Sequence, residues 1–176
     1  MKTIPLFFLL LFIGFACSES PRENPRELDK EEQKIDAAIY STSFQDLEGN
    51  EVKVSDFEGK VILVDFWETW CGPCLQVFPA MDSLQNEYPD DFVVIAVNLN
   101  NSDELSDVQA FQNNNKYNFS YVLDTNKIAD EIITLGIPFK VFLDPQGYLI
   151  TTELGSAGTE GDYQKAKVII EEHKKS

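Results

Sequence analysis

Two cysteines separated by two residues, Cys71 and Cys74, are the side chains of this sequence best suited to chemistry. They follow the apolar run 61–67, which has the length of a buried strand, and the apolar spacing after Cys74 predicts a helix. Cys71 would then lie at the helix N-terminus, where unpaired backbone N–H groups and the helix dipole favour a thiolate. A thiolate is the attacking species in disulfide exchange. We therefore expect Cys71 to be the nucleophile and Cys74 to resolve the mixed disulfide.

Three other uses of such a cysteine pair stay open. Half of a zinc site would need more ligands, and the chain offers only Cys17 and His173, near its two ends. Haem attachment needs a histidine after the second cysteine, where Leu75 stands. A purely structural disulfide would close a very short loop, which stabilises a fold little. Redox exchange is the favoured interpretation, and we expect neither a metal nor a cofactor.

Asp65 interrupts the apolar run that leads to the cysteines. A carboxyl group buried there would lose its hydration, which raises its pKa. Two interpretations follow from this position. Asp65 is either a strand residue with a structural partner, or a proton acceptor for Cys74 during exchange, acting through water.

The residues just before Cys71 bear on its reactivity. Glu68, if exposed beside Cys71, would oppose a thiolate through its charge and raise the thiol pKa. Otherwise Glu68 is a solvated loop residue. Trp67 is predicted to lie in the core, and Trp70 to flank the cysteines at the surface, where it would contact substrate.

The segment from Val64 to Cys74, which includes Trp-Cys-Gly-Pro-Cys, resembles the active-site segment of the thioredoxin superfamily. About sixty residues further on, Gly136-Ile137-Pro138 leads into an apolar strand and resembles the cis-proline loop of that family. The resemblance covers roughly residues 40–173. It implies a thioredoxin-like fold, and it implies that Asp65 matches the buried aspartate that accepts a proton from the second cysteine.

The resemblance also implies which residues contact substrate. On the side of the cysteine pair these are Trp70, Gly72 and Pro73, and on the side of the cis-proline loop they are Ile137 and Pro138. A cis Pro138 would leave the preceding backbone free to pair with an incoming extended chain. The family usually has threonine after this proline, where the present chain has Phe139. We therefore expect a more apolar substrate groove.

The rest of the chain is predicted to alternate between strands and helices. The expected strands are 43–47 and 51–54, joined as a hairpin, then 92–98, 120–124, 138–143 and 148–152, and the expected helices are 75–88, 102–114, 126–135 and 161–175. Ser102 or Asp103 is the expected cap of the second helix. This order predicts an α/β fold with a central mixed sheet and helices on both faces. The N-terminal β-hairpin and the central helix-strand insertion resemble the envelope-anchored TlpA-like and ResA-like branch of the superfamily.

The N-terminus has the features of a secretory signal over residues 1–16: Lys2, the nearly wholly apolar stretch 4–15, and a small residue before Cys17. That stretch is shorter than the ~20 apolar residues of a typical membrane span. Cys17 resembles the lipidated cysteine of bacterial lipoproteins, with a plain cleaved signal or an uncleaved anchor as alternatives. Residues 17–34 would then be the lipidated cysteine and a flexible tether, and 35–176 the thioredoxin-like domain.

Charge limits the range of partners. The chain has 14 basic and 30 acidic residues and a formal net charge of −16. Such an acidic surface argues against binding nucleic acid or anionic lipid through charge. We expect the charge to keep an envelope protein soluble, and we expect a monomer.

Together these features predict a thiol–disulfide oxidoreductase that is anchored in the bacterial cell envelope, faces the periplasm and acts on protein disulfides. The resemblance implies a reductant that is recharged by a membrane thiol donor, often in cytochrome c maturation. One alternative is a thiol peroxidase, because the N-terminal hairpin also resembles that of peroxiredoxins. Those enzymes need a supporting arginine, and this chain has none after Arg26. The other alternative is a binding module without redox turnover, although such modules usually lose one cysteine.

Overall fold

A seven-stranded mixed sheet forms the centre of the computed structural model, which describes residues 24–175. The strands are β1 (Phe44–Asp46), β2 (Glu51–Val52), β3 (Val61–Trp67), β4 (Phe92–Asn98), β5 (Ser120–Leu123), β6 (Phe139–Leu143) and β7 (Leu149–Leu154). The α-helices are α1 (Lys30–Ser41), α2 (Gly72–Glu87), α3 (Leu105–Asn115), α4 (Ala129–Ile132) and α5 (Gly158–His173), and a short 3-10 helix covers Val54–Phe57. The spatial order of the strands is β2-β1-β5-β4-β3-β6-β7. The parallel pairs are β3 with β4 and β4 with β5, and the other neighbours are antiparallel.

The strand that leads to the cysteines, β3, is buried along its whole length. One set of its side chains, including Leu63 and Trp67, packs into a core with α2 and α5. The alternate set, including Val64 and Phe66, packs into a second core with α1 and α4. Because both faces of the strand are covered, its sequence shows a continuous apolar run instead of an alternating pattern. The predicted α/β fold, with a mixed sheet and helices on both faces, is confirmed.

The folded part of the chain begins earlier than the predicted boundary at residue 35. Helix α1 starts at Lys30, and the Asp29 carboxylate accepts hydrogen bonds from the backbone N–H groups of Glu31 and Glu32. Upstream, the side chains of Asn24 and Arg26 donate to backbone carbonyls at the start of β7. The predicted tether is therefore corrected over residues 24–34. The signal peptide 1–16, the lipidated Cys17 and the remaining tether residues lie outside the described residues.

Two smaller differences concern the segment between β4 and β6. The helix predicted over 126–135 is the single turn of α4. Helix α3 starts after Glu104, and neither Ser102 nor Asp103 caps it, because both side chains bind the loop before the cysteines. Within residues 24–175, none of the helices combines the length and the apolar character that crossing a membrane requires.

Candidate active site

Cys71 and Cys74 form a disulfide, with their Cα atoms 5.3 Å apart. Cys71 is the N-cap residue of α2, and its Sγ accepts a hydrogen bond of 3.3 Å from the backbone N–H of Cys74. After reduction, this N–H group and the helix dipole would favour a thiolate on Cys71. Cys74 is the less exposed of the two, as predicted. Cys71 is itself only 2% exposed in the disulfide form, so the pair is better shielded than its sequence predicts.

The residues between the two cysteines shape the surface above the disulfide. Gly72 and Pro73 are exposed, and a Cβ placed on Gly72 would have no atom within 4 Å. Pro73 lies in the first turn of α2, where a missing backbone N–H removes no helical hydrogen bond. Trp70, just before the pair, is 65% exposed. The predicted surface position of Trp70 is confirmed, and substrate contact by these residues stays a prediction.

The cis-proline loop lies at the same end of the sheet as the cysteines. The peptide bond between Ile137 and Pro138 is cis. Strand β6 begins directly afterwards and runs antiparallel to β3, with Phe139 opposite Phe66. The start of β6 therefore meets the end of β3, next to the loop that carries Cys71. Gly136, just before the loop, has a φ of +134°, which favours glycine at this position.

Phe139, directly after the cis proline, lies on the face of the sheet that α1 and α4 cover. Its ring packs against Phe66, with the ring centroids 6.3 Å apart, in the core that also contains α1 and α4. The cysteines and α2 belong to the core on the other face of the sheet. Side chains of a strand alternate between the two faces, so Phe139 does not belong to the core that holds the cysteines. Its contribution to an apolar substrate groove stays a prediction.

Asp65 is fully buried in β3, and neither of its carboxylate oxygens has a hydrogen-bond partner among the described residues. By alternation with Leu63 and Trp67, it faces the core that contains α2 and the cysteines. Burial raises the pKa of Asp65 to about 8, the positive charge of Lys140 lowers it in part, and the negative charge of Asp162 raises it. Asp65 can therefore hold or release a proton near neutral pH, which suits the predicted proton acceptor.

A buried lysine beside Asp65 was not predicted from the sequence. Lys140 stands directly opposite Asp65 in the β3–β6 pair. Its ammonium binds the carboxylates of Asp162 at 2.9 Å and Glu153 at 3.0 Å. Burial opposes the charge of Lys140, but these two hydrogen bonds outweigh burial and raise its pKa. A signal existed, since Lys140 interrupts the apolar strand β6 as Asp65 interrupts β3.

Glu68 is buried, which corrects the expectation of an exposed charge beside Cys71. Its carboxylate accepts hydrogen bonds from the indole N–H of Trp70 and from the hydroxyl of Ser102. It also accepts from the backbone N–H groups of Asn101 and Ser102, each at 3.1 Å. The carboxylate is thus surrounded by four donors from the loops after β3 and β4. The indole N–H of Trp70 also donates to the Ser102 hydroxyl oxygen at 2.8 Å, so Glu68 and Ser102 together fix the indole just before the cysteines.

A second carboxylate ties the same two loops together. Asp103 accepts hydrogen bonds from the backbone N–H and the hydroxyl of Thr69, both at 2.6 Å. It also accepts from the side-chain amide of Asn98, at the end of β4, at 2.7 Å. The loop that delivers Cys71 to the start of α2 is therefore held by Glu68 and Asp103 together. We call these two residues the carboxylate clamp.

Replacing Glu68 with alanine or glutamine should loosen Trp70 and destabilise the fold by about 1–3 kcal/mol, because buried donors lose their acceptor. Glutamine cannot replace the carboxylate, since its amide has only one acceptor oxygen and its NH2 group would face donors in place of the other. Chemical denaturation measures the stability, and hydrogen exchange of the Trp70 indole N–H, followed by NMR, measures its release. Glu48→Ala, on the exposed β1–β2 turn, is the control and should change stability by less than ~0.5 kcal/mol. Slow exchange of the Trp70 indole N–H in both variants would contradict this role of Glu68.

The fold and the site together define a thioredoxin-fold protein with a redox-type cysteine pair next to a cis-proline loop. The chain belongs to the AhpC/TSA family, whose match covers residues 35–175. The prediction of a thioredoxin-superfamily protein is thereby confirmed.

Relatives of known name agree with this assignment. The chain is 33% identical to the thioredoxin-like protein YneN of Bacillus subtilis, over 65% of this chain and 68% of the relative. It is 30% identical to the thiol-disulfide oxidoreductase ResA of the same organism, over 64% of this chain and 63% of ResA, so the match spans just under two thirds of ResA. These names agree with the enzyme class predicted from the sequence.

Solved structures agree with the assignment to the thioredoxin fold. The thioredoxin domain of a thiol-disulfide oxidoreductase from Bacteroides vulgatus superposes with a TM-score of 0.62 at 25% identity, covering 73% of this chain and 92% of that domain. StoA from Bacillus subtilis superposes with a TM-score of 0.57 at 26% identity, covering 71% of this chain and 95% of StoA.

Proposed function

We propose that this protein is an enzyme of the bacterial cell envelope that reduces disulfides in other proteins. The observation that carries the proposal is the Cys71–Cys74 disulfide, which caps α2 at the end of the sheet where the cis Ile137–Pro138 peptide lies. The helix terminus favours a thiolate, and the exposed residues around it offer a surface to an incoming polypeptide.

The proposed reaction transfers two electrons from the cysteine pair to the substrate. The Cys71 thiolate attacks one sulfur of the substrate disulfide, the sulfur–sulfur bond breaks, and the first substrate thiolate leaves and takes up a proton. Asp65 then takes the proton of the Cys74 thiol through water, which makes Cys74 a thiolate. This thiolate attacks Sγ of Cys71, and the bond between Cys71 and the substrate sulfur breaks. The second substrate thiolate leaves and takes up a proton, and the Cys71–Cys74 disulfide remains.

The direction and location of the reaction belong to this proposal. The resemblance to the envelope-anchored branch of the superfamily supports a reductant that is recharged by a thiol donor in the membrane, with cytochrome c maturation as its setting. The apolar stretch before Cys17 supports export and a lipid anchor on that cysteine. The proposed enzyme would act as a monomer.

Reduction of insulin tests the proposal. The purified protein, reduced with a dithiol, should break the insulin interchain disulfides and precipitate the free B chain far faster than the dithiol alone. Hydrogen peroxide, supplied in place of insulin, should be consumed no faster than by the dithiol alone. Rapid turnover of peroxide without turnover of insulin would favour the peroxidase alternative, and turnover of neither would favour a binding module.

A further inference from the structure

A cavity of about 350 Å³ is lined by Trp70, the residue before Cys71, and by Ile137, the residue before the cis proline. One wall is the loop after β3, with Glu68 and Trp70, and the facing wall is the start of the cis-proline loop, with Ile137. Asp130 and Ile133, in and after α4, close the far side. We call this cavity the side pocket. The backbone before Pro138, with which a substrate chain is expected to pair, lines this cavity through Gly136 and Ile137.

The lining of the side pocket combines apolar surface with negative charge. Leu99, Ile133 and Ile137 supply aliphatic surface, and Trp70 supplies an indole ring that Glu68 holds in place. Asp130 contributes an exposed carboxylate at the rim. No lysine or arginine is among the lining residues.

Two lysines close to this lining are already engaged. The ammonium of Lys34 donates to the carbonyl oxygen of Glu131, the residue after Asp130. The ammonium of Lys127 donates to the carbonyl oxygens of Leu99 and Asn100 and to the side-chain oxygen of Asn101. Lys127 thus stabilises the loop after β4 and does not line the cavity. The side pocket therefore offers an incoming group apolar walls, an indole ring and a carboxylate.

Lysine and arginine side chains match these features, because each has an apolar stem and a positive end. The stem can lie along aliphatic walls, and the charge can meet both the face of an indole and a carboxylate. The volume is at the small end of the range for ligand pockets, which suits a single side chain of a bound polypeptide.

We infer that the side pocket binds a lysine or arginine side chain that flanks the reacting cysteine of the substrate protein. The inference rests on the proposed function, since it concerns the substrates of the same cysteine pair. It makes the segment around α4 a determinant of substrate choice. Substrates with a basic residue beside their cysteine are reduced in preference to those with an acidic one.

Three peptide disulfides test this inference. Each is the symmetric disulfide of a blocked pentapeptide Gly-X-Cys-X-Gly, with X as lysine, leucine or glutamate, and the full-length reduced protein is the reductant. The lysine peptide should react several-fold faster than the leucine peptide, and the glutamate peptide more slowly than both. Asp130→Asn should lower the ratio of lysine to glutamate rates by about three-fold, and Asp130→Lys should reverse the preference.

Asp90→Asn is the matched control, because it removes the same charge from an exposed turn between α2 and β4, at the opposite end of the sheet. It should leave the ratio of rates unchanged. If Asp90→Asn and Asp130→Asn lowered the ratio of lysine to glutamate rates equally, the preference would come from overall charge. That result would overturn the side pocket as its source. Equal rates for all three peptides would overturn the inference and leave the proposed function standing. Failure to reduce any peptide, or insulin, would overturn both.

Discussion

Cys74→Ser should stop the reaction at the mixed disulfide, so that substrate proteins stay covalently bound to Cys71. The structure gives the reason in the positions of the two residues on α2, since both are shielded in the disulfide form. Cys71 caps the helix and has a backbone N–H donor that stabilises a thiolate, whereas Cys74 lies one turn further into the helix. A serine at position 74 cannot attack the Cys71 sulfur, so the second half of the reaction is lost. Turnover of insulin should fall to the uncatalysed rate, and complexes sensitive to reductant should appear on non-reducing gels.

Cys71→Ser is the matched variant, since it removes the same disulfide and differs only in which thiol remains. It should also lose turnover, but it should form no covalent complexes, because Cys74 has neither the N-cap position nor the N–H donor that activates Cys71. Either variant should be only slightly less stable than the oxidised wild type, since the ring closed by this disulfide is very short. Complexes formed by Cys71→Ser in place of Cys74→Ser would reverse the two roles. Normal turnover in either variant would refute the assignment.

Asp65→Asn should stabilise the folded protein, and by an amount that grows with pH. Burial raises the pKa of Asp65 from 3.8 to about 8. Below pH ~4 the carboxyl group is protonated in both the folded and the unfolded chain, so the substitution has little effect on the free energy of unfolding. Between pH 4 and 8 only the unfolded chain loses the proton, and the stability of the wild type falls relative to the variant. Above pH ~8 the full difference is reached.

The full difference in the free energy of unfolding between Asp65→Asn and the wild type is on the order of several kcal/mol, since each unit of pKa shift corresponds to ~1.4 kcal/mol. Urea denaturation of the oxidised proteins at pH 4.5, 6, 7 and 8.5 measures it. Asp90→Asn, at an exposed position, is the control and should give a difference that does not grow with pH. A constant difference for Asp65→Asn would show that Asp65 titrates normally. The same variant should resolve mixed disulfides more slowly, because Cys74 loses its proton acceptor.

The sequence was sufficient for the parts of the site that lie close together in the chain. Cys71, Cys74 and Trp70 follow a recognisable strand and open a helix, so their relative positions follow from local structure. Asp65 stands out because a carboxylate in an apolar run has few possible environments. The position of Pro138 came from resemblance, since no local pattern shows that the start of β6 meets the end of β3.

The missed features depend on contacts between distant segments. Glu68 looks like a solvated loop residue until the loop after β4 returns to supply its donors, some thirty residues away. Lys140 meets Asp65 only through the register of β3 against β6, which hydrophobic patterning does not specify. The start of α1 is different, because Asp29 and Glu32 form a capping box whose signal is hidden within a charged run.

The hydrogen bonds of Asn24 and Arg26 to the start of β7 decide how an anchored molecule would face its surroundings. Leu149, where they attach, pairs with Leu143, and Leu143 pairs with Ile62 at the beginning of β3, whereas the cysteines follow the other end of that strand. Asn24, the first described residue, and the reactive sulfurs therefore lie at opposite poles of the domain, separated by the ~20 Å length of a seven-residue strand. If the chain is anchored through Cys17, the segment that leads from the lipid enters the domain at the pole away from the sulfurs. A thiol donor in the membrane would then meet the cysteines at the pole opposite to that entry point.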